Sequence, residues 1–244
     1  MKQGKFQIIE NIPLTDSVYK MTLKGDVSAI TAPGQFVNIQ LDGLFLRRPI
    51  SVCDVNGDQL TIIYKTVGKG TEKMSQLQNG TLDVLSGLGN GYDLSKAGMC
   101  PVLIGGGVGI PPMYLLCKRL LAMGKKVQVI LGFNTKSEIF FEEEFKALGA
   151  DVFVTTADGS YGIKGFVTDA LRGMEYSYFF ACGPEPMLKA IYKDSETSGQ
   201  MSFEKRMGCG FGACMGCSCK TITGYKRICK EGPVLEKEEI LWED

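Results

Sequence analysis

Residues 209–219 read Cys209-Gly-Phe-Gly-Ala-Cys214-Met-Gly-Cys217-Ser-Cys219, and with Cys229 they hold five of the chain's nine cysteines. The spacing Cys209-x4-Cys214-x2-Cys217, followed by a distant fourth cysteine, is that of thiolates wrapped round a 2Fe–2S cluster. Four thiolates must converge on two irons, and the sulfurs need backbone N–H donors close by. That demands a tightly wound irregular loop, and Gly208, Gly210, Gly212 and Gly216 supply backbone angles closed to other residues. A four-cysteine zinc site and a disulfide knot are the alternatives. Zinc sites usually use two short Cys-x2–4-Cys hooks, whereas three of these cysteines share one glycine-rich loop. Disulfide frameworks belong to oxidising compartments.

Histidine is absent from the whole chain. This removes Ser-His-Asp and Cys-His nucleophiles, histidine-bearing zinc sites, Rieske clusters and axial haem histidines together. Redox transfer through bound cofactors is not removed. The 27 basic and 27 acidic residues cancel, so charge gives no reason to expect nucleic acid or a membrane surface as partner. The first residues are too polar for a signal peptide, and no apolar run approaches a membrane span. The expected location is cytoplasmic, where thiols stay reduced and clustered cysteines more often bind metal.

Two patterns precede the cysteines. Phe6–Ile9, Val18–Leu23, Phe36–Leu41, Pro49–Cys53, Leu60–Tyr64 and Thr81–Leu85 are short β-like runs separated by turn signals such as Asn56-Gly57-Asp58. Val37, Ile39 and Leu41 alternate with Asn38 and Gln40, and six such runs predict a small antiparallel barrel. Near residue 98 the pattern becomes strand–helix alternation. Val102–Ile104 feeds a glycine turn, and Met113, Leu116, Cys117 and Leu120 mark one helix face ended by Gly124. Strands at Val127–Leu131, Val152–Thr155 and Tyr178–Cys182 follow. They alternate with helices over Glu138–Leu148 (entered through Ser137), near Phe166–Leu171 and after Pro184. This reads as a doubly wound parallel sheet whose pattern stops near Gly199. The expected units are 1–98, 99–199 and 200–244.

Four further motifs suggest ligands. Gly105-Gly106-Gly107-Val108-Gly109-Ile110-Pro111-Pro112 is a strand-to-helix turn where a pyrophosphate can approach the backbone, though a tight turn without ligand has the same look. It is not the Gly-x-Gly-x-x-Gly fingerprint. Arg47-Arg48-Pro49-Ile50-Ser51 offers a guanidinium fork and a hydroxyl for phosphate, against the plainer reading of a solvated strand end. Ile63-Tyr64-Lys65 with Gly68-Lys69-Gly70-Thr71 gives a strand with a glycine-rich exit, and on residue type alone Tyr64 is more often core than flavin platform. Cys182-Gly183-Pro184 ends the last parallel strand, where ligands gather in open α/β sheets, or is simply a buried cysteine before a turn.

In this order, the motifs resemble those of ferredoxin–NADP reductase-like flavoproteins. With the cysteine segment, Cys229-x-x-Gly232-Pro233 and the closing Ile240-Leu241-Trp242 added, the chain resembles end to end the electron-transfer subunits of class 1B dihydroorotate dehydrogenases. The resemblance implies an FAD-binding antiparallel β-barrel, a doubly wound parallel α/β nucleotide-binding domain and a small C-terminal 2Fe–2S module. It puts Arg48, Pro49, Ile50, Ser51, Ile63, Tyr64, Lys65, Gly70 and Thr71 on FAD positions, and Cys209, Cys214, Cys217 and Cys229 on the cluster, leaving Cys219 spare. NAD is expected at Gly105, Gly106, Gly107, Gly109, Gly183 and Pro184, with Cys182 near the nicotinamide and flavin in a catalytic position. Ile50 stands where many relatives in the wider superfamily carry an aromatic. The implied partner is an FMN-containing dihydroorotate dehydrogenase catalytic subunit in a heterotetramer of two plus two, serving pyrimidine synthesis. The small subunit of an NADPH-dependent ferredoxin oxidoreductase or sulfide dehydrogenase shares this build. A zinc-bound regulatory module is the reading from another class.

Overall fold

The computed structural model describes residues 1–242; Glu243 and Asp244, which end the expected third unit, lie outside the described residues. Strands β1 (Lys2–Pro13), β2 (Val18–Lys24), β3 (Phe36–Gln40), β4 (Arg48–Asn56), β5 (Gln59–Lys65) and β6 (Thr81–Leu88) close an antiparallel barrel in the order β1-β2-β5-β4-β3-β6. The period-two pattern is the cause: Val37, Ile39, Leu60, Ile62 and Tyr64 all point into one core, with Phe6, Met21 and Leu23. All but β3, which stops at Gln40 one residue short of the expected run, reach past their apolar centres, because ladder bonds extend past the side chains that identify them.

Among the elements absent from the sequence reading is a short helix in the barrel unit. Helix α1 (Lys69–Ser75) begins inside the stretch expected as a glycine-rich exit loop. The Thr71 hydroxyl donates to the Gly68 carbonyl and accepts from the Val67 N–H, which closes the first turn. Met74 is buried in the barrel core, and Asn11 Nδ2 holds the Met74 and Leu77 carbonyls at 2.9 and 2.8 Å. Tertiary contacts therefore fix a helix too short and glycine-rich to announce itself.

The second layer set is built from β7 (Pro101–Gly106), α2 (Pro111–Ala122), β8 (Gln128–Phe133), α3 (Glu142–Leu148), β9 (Asp151–Thr156), β10 (Ile163–Lys164), α4 (Val167–Leu171), β11 (Tyr178–Cys182), α5 (Glu185–Asp194) and β12 (Gly199–Ser202). With β15 (Val234–Glu236) at one edge, the sheet order is β10-β9-β8-β7-β11-β12-β15, parallel except for that last strand. Met113, Leu116, Leu120 and Phe145 from α2 and α3 pack with Leu103, Val129 and Phe180 on one face. Val167, Leu171, Leu188 and Ile191 from α4 and α5 pack with Val102, Ile104 and Phe179 on the other. The sheet is doubly wound, as the alternation predicted.

Two local expectations are corrected. The helix expected from Glu138 starts at Glu142, because Lys136–Glu138 forms a separate 3-10 turn and Phe141 takes a left-handed backbone (φ 67°). Burial of Phe140 and Phe141 beside Phe133, Tyr114 and Phe145 holds that break. The alternation also continues past Gly199. β12 adds a parallel strand beside β11, and a Cβ at Gly199 would stand 2.3 Å from the Phe179 ring, so only glycine admits the pairing.

After the cysteines, β13 (Ser218–Thr221) and β14 (Gly224–Arg227) form a hairpin, and β15 (Val234–Glu236) returns antiparallel to β12. The barrel is fixed to the sheet by Lys118 Nζ on both Asp54 oxygens (2.7 and 2.8 Å) and by Ile63 and Cys53 packed against α2 and its neighbours. Among the described residues no helix is long and apolar enough to cross a membrane.

Candidate functional site

The flavin stretch begins β4. Arg48, Pro49, Ile50 and Ser51 are all half-buried, unlike the fully buried Val52 and Cys53 that follow. A Cβ on Gly70 would lie 1.9 Å from Arg48 Nε, so the guanidinium is laid directly across the start of α1. Arg48 Nη1 donates to the Leu46 carbonyl at 2.6 Å, which aims it. A permanent cation over a close-approach glycine, at a helix start whose first turn the Thr71 hydroxyl closes, makes a cradle that fits a pyrophosphate. Arg48 is thus brought against Gly70 at the start of α1, with Pro49, Ile50 and Ser51 following it along β4. Of Ile63, Tyr64 and Lys65, only the outer two leave the barrel interior. Tyr64 is 2% exposed, and its hydroxyl donates to Asn11 Oδ1 at 2.9 Å. Its side chain is core, and only its main chain is free to meet a ligand.

The glycine turn and the Cys182 turn meet at the point where the sheet changes winding direction. β7 and β11 are neighbours, with Gly105 paired to Cys182. A Cβ on Gly109 would stand 2.2 Å from the Cys182 carbonyl oxygen, and one on Gly183 would stand 3.2 Å from the Gly106 nitrogen. Gly105 has Ile110 at 2.8 Å, while Gly107 adopts φ 52° with open space around it. Gly109 and Gly183 let the two main-chain turns touch, leaving a crevice at the strands' carboxyl ends where nucleotides bind in such sheets. The helix start itself gives less than the sequence suggested. Pro111 and Pro112 carry no N–H, so a bound anion would meet the amides of residues 107–109 instead.

Beside this crevice, a pocket of about 330 Å³ is lined by Gly183, Pro184, Phe203, Lys205 and Arg206 among others. The basic pair comes from the segment after β12 and was missed because no motif marks it. Burial pushes the Cys182 thiol up to about 12, against a smaller lowering by Ser202. Cys182, half-buried against the core beside the crevice, is therefore held as a neutral thiol.

In the cysteine segment, Cys209 Sγ accepts from the Ala213 and Cys214 N–H groups at 3.2 and 3.4 Å. Burial works to raise this thiol, but the N–H groups of Phe211, Cys214 and Ala213 and the Cys214 thiol bring it down to about 6. The Cys229 N–H donates to Cys217 Sγ at 3.4 Å. Burial and then the neighbouring Cys217 thiol push Cys229 up to about 12, and Cys209 is near enough to add to this. The four thiols thus come as two pairs, Cys209 with Cys214 and Cys217 with Cys229. Among the described residues no three cysteine or carboxylate side chains close round a single point. Two thiolates for each of two irons, with N–H donors already on the sulfurs, fit a 2Fe–2S cluster. Cys219 joins neither pair: it stands on β13 opposite Lys226, half-buried against the core that also takes Cys217 and Cys229.

Two supports for the loop were not legible in the sequence. Arg227 Nη1 donates to the Gly212 carbonyl at 2.7 Å and is held by Glu231, whose carboxyl the guanidinium brings down to about 2. Asn38 Nδ2, from the barrel, donates to the Cys209 carbonyl at 3.2 Å.

Similarity to known proteins agrees with this geometry. Residues 204–241 match the model of the iron–sulfur cluster binding domain of dihydroorotate dehydrogenase B, and residues 103–193 that of the oxidoreductase NAD-binding domain. A dihydroorotate dehydrogenase B (NAD(+)) electron transfer subunit of Bacillus pumilus is 44% identical, with 98% of both chains covered. The chain belongs to this family of electron transfer subunits. A Fusobacterium nucleatum protein of the same description is also 44% identical, over 96% of each chain. Among solved structures, an NADH-dependent reduced ferredoxin-NADP oxidoreductase superposes with a TM-score of 0.88 at 30% identity, covering 97% of this chain and 90% of that one. A Neisseria gonorrhoeae ferredoxin NADP+ reductase with bound FAD and NADP shares the fold (TM-score 0.69, 18% identity, 80% of this chain and 90% of that one). The family's cluster domain brackets all four paired cysteines, and its members match the barrel as well.

Proposed function

We propose that this chain carries electrons from an FMN-containing dihydroorotate dehydrogenase catalytic subunit to NAD, in a heterotetramer of two plus two, during pyrimidine synthesis in the cytoplasm. The observation that carries the proposal is the order of the three sites. The cysteine loop lies against β3, the Arg48–Ser51 stretch is the next strand, and the crevice at Gly105–Gly109 lies across the domain junction. When bound, a 2Fe–2S cluster exchanges single electrons, FAD exchanges one or two, and NAD accepts a hydride, so this order suits a conversion from single electrons to a hydride.

Each residue's part follows. Cys209, Cys214, Cys217 and Cys229 hold the cluster. Arg48 and the α1 start at Gly70 and Thr71 neutralise and seat the FAD pyrophosphate, while Pro49, Ile50, Ser51, Ile63, Lys65 and the Tyr64 main chain line its course. Gly105, Gly106, Gly107, Gly109, Gly183 and Pro184 let NAD lie close to the backbone. Cys182 fills the crevice floor as an uncharged, polarisable group beside the nicotinamide. The expected units 1–98, 99–199 and 200–244 correspond to the FAD, NAD and cluster parts, except that β12 (Gly199–Ser202) and β15 (Val234–Glu236) belong to the NAD-binding sheet. Phe211 and Met215, 45% and 53% exposed on the cluster loop, form an apolar contact for the catalytic subunit.

The chain alone is expected to reduce artificial dyes with NADH and to leave dihydroorotate untouched. Adding the FMN-containing subunit from the same source is expected to give NAD-linked dihydroorotate oxidation. Absence of a complex, with no bleaching of this chain's flavin by dihydroorotate, refutes the proposal. The 0.88 TM-score to the ferredoxin-NADP oxidoreductase favours a second reading, a subunit serving ferredoxin and NADP(H). Activity with reduced ferredoxin but not with dihydroorotate would select it.

A further inference from the structure

Asn38 lies in β3 between Val37 and Ile39, which face the barrel core, and its own side chain turns the other way. It is only 1% exposed. Its Nδ2 donates to the main-chain carbonyl of Cys209 at 3.2 Å. The next residue of the loop, Gly210, has φ 78°, and a Cβ there would stand 2.3 Å from that same Nδ2. The cysteine loop is therefore pressed onto the Asn38 amide. Across the ladder, Asn38 pairs with Pro49, the second residue of the flavin stretch. One side chain thus grips the main chain of a cluster cysteine and stands one strand from the cradle of the other redox group.

Packing does not account for an amide here. Asn38 Oδ1 is buried without a donor among the described residues, which costs stability that a leucine of similar size would not. Local rules are broken in this way mainly where a site needs a particular geometry.

We propose that Asn38 is a positioning residue for electron exchange between the cluster and the flavin. It rests on the reading that both groups are bound. Its Nδ2 fixes the Cys209 main chain, and with it the sulfur, at a set distance and orientation from β4. The hydrogen bond to the ligand's peptide group also adjusts the electron density at that sulfur, in the way outer partners tune metal sites. In the step it serves, a single electron leaves one centre, which is oxidised, and enters the other, which is reduced.

The test compares the full chain, loaded with FAD and iron, as wild type, Asn38→Leu and Asn38→His. The His variant keeps an N–H donor the same number of bonds from Cα. Iron and flavin content, thermal melting, the EPR spectrum and midpoint potential of the reduced cluster, and anaerobic stopped-flow reduction by NADH are measured. Asn38→Leu is expected to keep both cofactors and its melting temperature, to reduce its flavin with NADH at the wild-type rate, and to reduce its cluster several-fold more slowly, with shifted g values or potential. Asn38→His is expected to restore the wild-type spectrum and most of the rate. Unchanged spectrum, potential and cluster reduction in Asn38→Leu overturn the proposal. So does iron loss with wild-type spectra in the clusters that remain, which marks a structural prop. If the wild-type chain binds neither FAD nor iron, the underlying reading falls and this one with it.

Discussion

Replacing Gly70 by alanine separates stability from flavin binding. Gly70 does not need a left-handed backbone, and alanine in a helix is favoured over glycine by about 1 kcal/mol. The new methyl meets Arg48 Nε at 1.9 Å, so the guanidinium must retreat by about 1.5 Å to reach ordinary contact. A flexible side chain can do that at small cost to the fold. The cradle cannot: a hydrogen bond to a charged group contributes about 1.5–3 kcal/mol, and losing it raises the FAD Kd roughly tenfold to a hundredfold. Apoprotein titrated with FAD, followed by flavin fluorescence quenching, reads the affinity, and thermal melting of the same apoprotein reads the fold. Gly70→Ala is expected to weaken FAD while melting at or above the wild-type temperature. Unaltered FAD affinity in a folded Gly70→Ala protein would refute the placement of Arg48 on the pyrophosphate.

Tyr64→Phe removes the bond to Asn11 Oδ1 and leaves that acceptor buried, so it is expected to cost about 1–3 kcal/mol in urea unfolding while FAD affinity is kept; loss of FAD with unchanged stability would show that the phenol is a ligand. Cys219→Ser is expected to retain two irons and two sulfides per chain by chemical assay, whereas Cys214→Ser loses them, since Cys219 faces Lys226 across the hairpin instead of joining a thiol pair. In steady-state dye reduction, kcat/KM is expected to be higher with NADH than with NADPH, because the loop after β8 carries the Glu138 carboxylate on Asn134 and no arginine for a 2′-phosphate. A higher value with NADPH would favour the ferredoxin-linked reading.

The sequence by itself determined everything that rests on local pattern. Period-two runs produced the barrel because alternate side chains of a strand share a face, and the apolar strand–helix alternation produced the doubly wound sheet. The Cys-x4-Cys-x2-Cys spacing named a loop that gathers thiols, and α3 ends at Leu148 as expected, closed by Gly149 (φ 93°). Whatever depends on partners distant in the chain was decided only by the tertiary structure. α1 exists because the barrel mouth takes Met74 and Asn11 takes its carbonyls, and β12 because Phe179 accepts a glycine. Tyr64 turns inward because the ladder register leaves it no other face. Arg48 and Gly70 are 22 positions apart in the sequence, and Asn38 and Cys209 are 171 apart. Composition and spacing carry no term for such contacts, which arise when strand register and domain docking set one backbone against another.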